Sequence, residues 1–596
     1  MPSLLYYLRR VGEQPFRETV NQAFSLASDR AGSLVQPVLD NLFAKDPTPD
    51  ELLKSSGATS LTELTDRLKT RDWPDLPLDM PDAPEAAEGL LGRMSPWHID
   101  FASGYVWDST VHARKLPLAP GPGIDIKGPW ELSRCHDLVT LGLAYRETAD
   151  ERFAAHAVAT ILDWIEKNPP RTGVNWMSAM EAGIRAVNWC WAFALIRPSA
   201  TVDERFSEKL LLSLSTHATF IHANLEFREA SIAGRKARLN SNHYLCDLAG
   251  LLSIGMLFPE LGLQKHAAFA ASEFKKELAE QVAADGVDYE HSTAYHQFVM
   301  EIFTYAFHLM GEPQPNGLKR MRAFAEAALQ PDGTLVQVGD NDSGRLLPPF
   351  KLDVAAGRHS AIFPHSSFFS LHGAGAHTLI SAARVGMRGM GSHSHNDLLS
   401  FTFYFGRPWI VDPGTFAYLP NIEARNWFRS TAAHNTVRVD QQEIRTFHRE
   451  AIFQMVDAAD VRVLSWENST EMYRLAIEHT GYERLARPVR HERRFELSKT
   501  TPSLVVDDTI HGKGRHQLEW FLQIHPDVTV EREADGFMLV VSDSRVRIRM
   551  EVPGAELSTV PGWYSPAYGV RSPATTIVAR ATVKLPFSAM MVIEPC

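Results

Sequence analysis

Hydrophobic residues recur at helical spacing through much of the first half of the chain, from about residue 129 to about residue 329. Residues 155–165, 210–220 and 298–310 show this period most clearly. Glycine and proline interrupt the pattern at helix-length intervals, as at residues 168–170. Because no strand-like alternation intervenes, the pattern predicts an all-α region built from many consecutive helices.

From about residue 350 onward the hydrophobic period changes to two. Phe401, Phe403 and Phe405 alternate with Ser400, Thr402 and Tyr404. No long helical pattern interrupts the strands that follow, so we expect antiparallel sheets packed as a sandwich. Helices first and strands second indicate two principal domains.

One strand pair and the start of the chain add detail to this division. Residues 537–552 are typical of a β-hairpin. The proline-rich stretch 73–84 is typical of a linker or a wrapping arm. We therefore predict an N-terminal helical arm at 1–95, a helical domain at 96–350 and an antiparallel β-sandwich domain at 351–596.

The charge balance and the lack of long apolar runs limit the possible partners. The 596 residues include 60 Lys and Arg against 71 Asp and Glu, a formal net charge of −11, which argues against nucleic acid as a partner. No stretch reaches the ~20 apolar residues of a membrane-spanning helix, and residues 1–10 lack the features of a secretion signal. We expect a cytoplasmic protein, with a periplasmic or secreted location as the alternative.

The cysteines do not indicate a disulfide framework. They are widely spaced and contain no C-x-x-C pattern, so we expect reduced thiols in the core. The four are Cys135, Cys190, Cys246 and Cys596.

The densest group of chemically active residues is Gly-Ser-His-Ser-His-Asn-Asp at 391–397. In extended backbone His393 and His395 point to the same side, so their imidazoles would converge. Asp412 and His434 follow downstream at strand ends. Two histidines and one carboxylate are a common zinc set. The alternative is that these are separate histidines, each hydrogen-bonded on its own.

Two further groups suit proton transfer or carboxylate binding. Asn242 and His243 open a helix, where Asn242 is either a helix cap or, with His243, a donor to a substrate carboxylate. Tyr295 and His296 close a stretch rich in Tyr, His and Glu. Such residues are often half-buried at domain seams, but a Tyr–His pair also serves acid–base catalysis.

Tryptophans beside charged forks in the helical half are typical of sugar binding. An exposed Trp face stacks on sugar C–H groups while Arg and Asn bind hydroxyls or carboxylates. Glu181 and Arg185 are spaced i, i+4, so a simple helix-stabilising ion pair is the alternative. We expect substrate-binding side chains at Trp130, Arg134, Asn175, Trp176, Glu181, Arg185, His296 and Arg429.

Together these motifs resemble the heparinase II/III-like family of polysaccharide lyases. The similarity covers about residues 129–525 and depends on many motifs occurring in the same order. The motifs are Asp125-Ile126-Lys127, Pro129–Arg134, Asn175-Trp176, Met180-Glu181, Arg185–Trp189, Asn242-His243, Tyr295-His296, His393-Ser394-His395, Asp412–Thr415, Phe428–Thr431 and His434–Val437.

The resemblance implies an incomplete (α/α) toroid followed by an antiparallel β-sandwich. It implies cleavage of an anionic, uronate-containing poly- or oligosaccharide by β-elimination. Asn242 and His243 then bind the uronate carboxylate, Tyr295 is the catalytic tyrosine and His393 is its partner. The resemblance also implies a structural zinc site formed by His395, Asp412 and His434.

Two positions depart from the family pattern. Cys246 stands where some members carry Glu, and Val299 stands where some carry Arg, so contacts specific for heparin are not expected. An anionic glycan also requires a basic cleft in this acidic protein. The candidates for this cleft are Arg134, Arg185, Arg235, Lys236, Arg238, Arg425 and Arg429.

Three other functions remain compatible with the sequence. A uronyl C5 epimerase would use the same proton abstraction without losing the 4-linked group. A glycoside hydrolase would need paired carboxylates, for which Asp340 and Asp342 are candidates, although their Gly-bounded loop favours a solvated turn. The last of the three is a glycan-binding protein without catalysis.

Overall fold

The computed structural model describes residues 46–76, 80, 82–93, 95–232, 235–348, 354–355, 357 and 359–596. The expectations for residues 1–45, which include the start of the 1–95 arm and the missing secretion signal, lie outside the described residues. Contacts between Cα atoms divide the chain into two compact units. Unit 1 holds the described residues of Met1–Pro120, Asp125–Phe274 and Leu347–Pro349, and unit 2 holds those of Gly121–Ile124, Lys275–Leu346 and Phe350–Cys596.

The helices begin at side-chain caps that the sequence supplies. Thr48 forms a capping box with Glu51, and Asp203 accepts a hydrogen bond from the backbone N–H of Phe206. The described helices are α1 (Pro49–Ser56), α2 (Leu61–Thr70), α3 (Ala83–Glu88), α4 (Lys127–Ser133), α5 (Asp137–Thr148), α6 (Glu151–Lys167), α7 (Ala179–Ile196), α8 (Glu204–Ala223), α9 (Asn242–Leu257), α10 (Gln264–Gln281), α11 (Thr293–Leu309), α12 (Asn316–Ala327), α13 (Gly386–Gly389) and α14 (Ile422–Phe428).

Helices α7 and α9 form the centre of unit 1. All 18 residues of α7 are buried, so this helix is enclosed on every side rather than amphipathic. The two helices approach closely at Gly183 and Gly250, where a Cβ on Gly250 would lie 2.6 Å from the Cα of Gly183. A Cβ on Gly183 would collide with the backbone carbonyl of Cys246. The contact therefore depends on glycine having no side chain.

Unit 2 contains one antiparallel, branched sheet of 16 strands. A separate hairpin in unit 1 is formed by β1 and β2. The strands are β1 (Glu229–Ile232), β2 (Arg235–Arg238), β3 (Ala361–Phe363), β4 (Phe368–Gly373), β5 (Ala376–Ser381), β6 (Ser400–Phe401), β7 (Phe403–Phe405), β8 (Pro408–Ile410), β9 (Val437–Val439), β10 (Val461–Asn468), β11 (Met472–His479), β12 (Val489–Ser498), β13 (Leu504–Ile524), β14 (Thr529–Glu533), β15 (Gly536–Val541), β16 (Ser544–Glu551), β17 (Glu556–Ala567) and β18 (Val570–Pro595).

The two longest strands, β13 and β18, connect the layers of this sheet. They pair with each other from Leu504↔Ile593 to Ile524↔Thr575. The first half of β13 also pairs with β12, and its second half pairs with β9 and β8. Phe495, Trp520 and other buried residues of both layers fill one hydrophobic core. The predicted fold class, helical toroid followed by antiparallel β-sandwich, is confirmed.

Most local expectations for the fold agree with the structure, but two were wrong. The hairpin expected at 537–552 is β15–β16. The all-α expectation for 129–329 missed the hairpin β1–β2, whose short, charged strands carry little hydrophobic alternation. Cys135, Cys190 and Cys246 are buried free thiols, but Cys596, which follows the last residue of β18, is exposed. Among the described residues, no helix combines the length and apolar character needed to cross a membrane. The boundaries 1–95, 96–350 and 351–596 stay predictions.

Replacing Gly183 by Ala tests the close contact of α7 and α9. The new methyl group meets backbone atoms that cannot move aside as a side chain can, so we expect a loss of about 1–3 kcal/mol in the free energy of unfolding. Gly89→Ala is the matched control, because its Cβ meets no atom closer than 3.5 Å. Denaturant unfolding that gives equal stability for both variants would show that the contact is not tight.

Candidate active site

The catalytic residues expected from the sequence begin with Tyr295, in the first turn of α11. Ser292 caps this helix and accepts a hydrogen bond from the backbone N–H of Tyr295. The loop carrying Asp340 runs beside the loop of His393, and the Asp340 N–H donates to the His393 carbonyl at 3.0 Å. Gly339 permits this approach, with φ at +71° and a hypothetical Cβ 2.7 Å from the same carbonyl. Helix and loops thus hold Tyr295 and His393 at one place.

The rings of Tyr295 and His393 stack on each other. Their centroids are 3.7 Å apart and their planes differ by 16°. The Tyr295 hydroxyl lies 3.2 Å from that of Tyr418. All three side chains are largely buried. The structure therefore places the two proposed catalytic residues in contact and adds a second phenol beside the first.

Asp340 is the charged centre of this group. Its carboxylate accepts hydrogen bonds from His393 Nδ1 at 3.0 Å and from His395 Nε2 at 2.8 Å. Arg425 donates to both of its oxygens, with Nη2 at 2.8 Å from Oδ2. Asp340 is completely buried, so the expectation of a solvated turn was wrong. The flanking glycine permits the close approach of two loops rather than an exposed bend.

His393 lies between two carboxylates. Its Nε2 is 3.1 Å from Glu290 Oε2, and its Nδ1 is bonded to Asp340. Burial alone would lower the pKa of His393, but the hydrogen bonds to Asp340 and Glu290 outweigh it and raise the pKa to about 9. The ring is therefore fixed in position through both nitrogens.

The pKa values of Tyr295 and Tyr418 are both raised, whereas a reactive phenolate requires a lowered pKa. Burial, and then the charge of Asp342, raises the pKa of Tyr295 well above its usual range. Burial and the charge of Asp340 raise the pKa of Tyr418 as well. Both hydroxyls therefore carry their protons before substrate binds.

His395, Asp412 and His434 form a compact buried cluster. One potential ligand atom from each lies within 4.8 Å of the others, and His434 Nδ1 is 2.8 Å from Asp412 Oδ2. His395 Nδ1 and His434 Nε2 are buried without a hydrogen-bond partner. Two unpaired buried imidazole nitrogens beside a carboxylate fit a divalent metal, because a ligand would satisfy both of them. The expected metal residues are thus brought together.

Asn242 and His243 belong to unit 1 and lie at the start of α9. Ser241 is the N-cap of this helix, so the alternative that Asn242 is the cap was wrong. His243 has a side-chain exposure of 42%, and its Nδ1 lies 2.7 Å from Glu226 Oε2. Burial opposes ionisation of Glu226, but the interaction with His243 lowers the pKa of Glu226 to about 2. This carboxylate orients the exposed imidazole.

The arginines expected to bind substrate in unit 1 are paired inside the protein. Arg134 makes two hydrogen bonds of 2.8 Å to Glu181, and both side chains are buried. Arg185 is fully buried, 4.0 Å from the ring centre of Trp164, and donates to His217 Nε2 at 2.9 Å. The Arg185–Glu181 helix pair considered above is therefore replaced by partners on other elements.

Three more of the expected substrate-binding residues, all in unit 1, are also bonded internally. Asn175 donates to the Trp97 carbonyl, and Trp176, with 2% exposure, donates to the Asn168 carbonyl, so the exposed stacking face expected for Trp176 is absent. Trp130, which is only partly buried, donates to the Val174 carbonyl at 2.9 Å.

His296 and Arg429, in unit 2, hold backbone rather than facing solvent. His296 bonds the Met321 carbonyl at 2.9 Å and accepts from the Asp288 N–H. Arg429 donates to carbonyls of the segment 448–454. The roles of all these residues in substrate binding stay predictions, and the described partners give each of them a structural role.

Sequence reasoning missed four residues of unit 2 that organise the site. Asp340 carried a signal, a Gly-bounded acidic loop, but the loop was interpreted as solvated. Glu290 lies in the Tyr- and His-rich stretch before α11. Tyr418 carried no local signal, and Arg425 was expected only as part of a basic cleft, because only the fold brings them to Tyr295 and Asp340.

Comparisons with known proteins agree with this architecture. A family model for the heparinase II/III N-terminus matches residues 107–317, and one for the heparinase II/III-like C-terminal region matches residues 355–589. A crystal structure of heparinase III has a TM-score of 0.70 and 16% identity, covering 92% of this chain and 91% of the other.

Two curated relatives carry the name heparin-sulfate lyase. The one from Bacteroides stercoris is 22% identical over 505 residues, which cover 74% of this chain and 71% of the relative. The one from Pedobacter heparinus is 22% identical over 438 residues, which cover 66% of this chain and 62% of the relative. The alignment with the second relative thus spans less than two thirds of its length.

The helical toroid, the antiparallel β-sandwich and the matches to heparinase models and lyase relatives identify a polysaccharide lyase. The family models together account for most of the chain. The chain belongs to the heparinase II/III-like family.

Replacing Asp340 by Asn tests its central position. The substitution leaves Arg425 buried without its counter-charge, so we expect a loss of about 3–5 kcal/mol in the free energy of unfolding. Asp535→Asn, on an exposed hairpin turn, makes the same chemical change and should stay within about 0.5 kcal/mol of wild type. Similar melting curves for both variants would contradict the assignment.

Proposed function

We propose that this polysaccharide lyase cleaves a uronate-containing glycan by β-elimination, with Tyr295 and His393 at the reacting centre. The observation that carries the proposal is the stacked Tyr295–His393 pair, held by Asp340 and Glu290. A phenol kept against a fixed imidazole is suited to transferring a proton at a defined place. The family and the names of the relatives support elimination as the reaction.

The reaction requires two proton movements. The C5–H bond of the uronate breaks, the C4–O4 bond breaks, and a C4–C5 double bond forms between them. One proton passes from C5 to the enzyme, and one passes from the enzyme to O4. Because Tyr295 is protonated before substrate binds, we assign to it the transfer to O4. We assign receipt of the C5 proton to His393 Nε2, which can accept it after passing its own proton to Glu290 Oε2 at 3.1 Å.

Removal of the C5 proton also requires relief of negative charge on the uronate carboxylate. Hydrogen-bond donors that face the carboxylate stabilise the enolate-like transition state. We propose Asn242 and His243 for this role from the family resemblance. The Glu226–His243 contact supports the proposal, because it holds the imidazole in one orientation.

We further propose that His395, Asp412 and His434 hold a structural zinc ion. A bound Zn²⁺ would supply positive charge and cross-link the three segments, and elimination consumes no water for it to activate. His395 also donates to Asp340 through Nε2. The orientation of His395 therefore affects the carboxylate that holds His393.

The rival functions have less support. An epimerase shares the proton abstraction, but the family and its named relatives are lyases. A glycoside hydrolase needs two available carboxylates, whereas Asp340 is buried and bonded to Arg425. The relatives named heparin-sulfate lyase favour a heparan-type substrate. Cys246 and Val299, which stand where some family members carry Glu and Arg, favour a different set of contacts.

Replacing Tyr295 by Phe removes only the hydroxyl that transfers the proton. We expect kcat on the preferred uronate glycan to fall by about a hundredfold or more, with the fold unchanged. Elimination is followed by the ultraviolet absorbance of the new conjugated double bond, which epimerisation and hydrolysis do not create. Tyr473→Phe, on a surface strand, should keep wild-type activity. Normal turnover by Tyr295→Phe would refute the mechanism.

Removing the metal tests the zinc proposal. We expect elemental analysis of the purified protein to find about one zinc per chain. Chelation should lower the melting temperature, because the two imidazoles lose their ligand. His434→Ala should lose the zinc, whereas His365→Ala, which changes an exposed histidine of the same unit, should retain it. Zinc-free wild type with a melting temperature insensitive to zinc and chelator would contradict the proposal.

A further inference from the structure

A hairpin of the β-sandwich, formed by the adjoining ends of β17 and β18, reaches the loop that carries Tyr418. The two strands join at Tyr568 and Gly569. Their regular pairing is interrupted between Tyr564 and Ala567, so the tip departs from the plane of the sheet. This tip is part of unit 2, and no sequence motif indicates a role for it.

Hydrogen bonds fasten the hairpin to the loop 412–418. The Ser565 N–H donates to the Pro413 carbonyl at 2.8 Å, and the Phe416 N–H donates to the Ser565 hydroxyl at 3.0 Å. The Gly569 N–H donates to the Phe416 carbonyl at 2.7 Å, so the contact continues to the tip. The hairpin and the loop therefore form one rigid surface.

Arg571 contacts two aromatic rings on this surface. Its guanidinium carbon is 4.4 Å from the ring centre of Phe416 and 4.2 Å from that of Trp563. Arg571 is exposed, and Trp563 has 36% exposure. Within the part of the chain that the structure describes, Arg571 has no acidic partner.

This arrangement leaves one part of the guanidinium available. Two rings lie within cation–π distance of the guanidinium carbon, so the N–H groups that point away from the rings are the part that can meet a ligand. A guanidinium edge matches the oxygens of a carboxylate or a sulfate group, with two parallel hydrogen bonds. Because the rings already restrict the side chain, binding costs less conformational entropy than it would for a free arginine.

The position of Arg571 connects it to the reacting centre. Phe416, which covers one face of Arg571, lies two residues before Tyr418, whose hydroxyl is 3.2 Å from that of Tyr295. Tyr418 is also fastened to the hairpin, since its N–H donates to the Tyr568 hydroxyl. The guanidinium is therefore held on the loop that helps to form the catalytic group.

Because the protein is acidic overall, an exposed cation such as Arg571 matters for binding an anionic glycan. The net charge is −11, and an anionic glycan needs local positive charge to bind. Arg425 and Arg429 are buried and bonded to Asp340 and to backbone carbonyls, so they do not present charge to a ligand. Arg571 is exposed and available.

We propose that Arg571, supported by Trp563 and Phe416, is a subsite for an oxyanion substituent of the glycan. The substituent is a carboxylate or a sulfate on a sugar near the one that is cleaved. The proposal rests on the proposed function, because it takes the ligand to be an anionic glycan.

Binding to the inactive Tyr295→Phe protein tests the subsite without turnover. The probes are an unsulfated uronate hexasaccharide and a sulfated heparan-type hexasaccharide, measured by calorimetry. We expect Arg571→Ala to weaken binding about tenfold. Loss for both probes identifies a carboxylate as the ligand, and loss for the sulfated probe alone identifies a sulfate. Arg571→Lys, which keeps the charge but not the planar fork, should show an intermediate loss.

Arg549→Ala provides the matched control, since Arg549 is an exposed arginine of the same sheet paired with Glu594. It should bind both probes as the parent does, and melting temperatures check that every variant folds. Equal binding by Arg571→Ala and the parent, or no binding of either probe by the parent, overturns the subsite.

The two proposals fail separately. Ultraviolet-absorbing product from wild type tests elimination by itself. Product together with unchanged binding by Arg571→Ala removes only the subsite. Weakened binding by Arg571→Ala without product from wild type removes only the elimination reaction.

Discussion

A buried carboxylate has to be neutralised, and the arrangement of the reacting centre follows from how Asp340 meets this requirement. The cost of taking its charge out of water is offset by Arg425 and by hydrogen bonds from His393 and His395. Those three groups come from two other segments of unit 2. One charge therefore fixes the positions of two loops and a helix, and Tyr295 packs on the result.

Arg425 and Arg429, near the centre, are likewise bonded inside the protein. A guanidinium that neutralises an interior carboxylate or satisfies backbone carbonyls has no charge left for a substrate. Arginines that a sequence pattern marks as substrate-binding are, in this protein, largely internal. An anionic glycan then needs positive charge from another residue. We propose Arg571, in contact with Phe416 and Trp563, which takes no part in the buried network.

The loop 412–418 links the separate functions of the sandwich domain. Asp412 at its start belongs to the candidate metal cluster, and the Tyr418 hydroxyl at its end lies beside that of Tyr295, the proposed catalytic tyrosine. Between them Phe416 supports Arg571. The β17–β18 hairpin bonds to this loop, so one short segment connects all three positions to the hairpin.

The sequence by itself determined the fold class and the family, because hydrophobic period and ordered local motifs are properties of neighbouring residues. The pairing of Tyr295 with His393 was implied only by the family resemblance. The sequence also marked His395, Asp412 and His434. The sequence did not predict the central position of Asp340, the contact of Tyr418 with Tyr295, or the contact of Arg571 with Phe416. Those depend on residues 85, 123 and 155 positions apart that meet only when strands and loops pack. Burial reverses the expected role of a polar residue, and burial is decided by the tertiary structure.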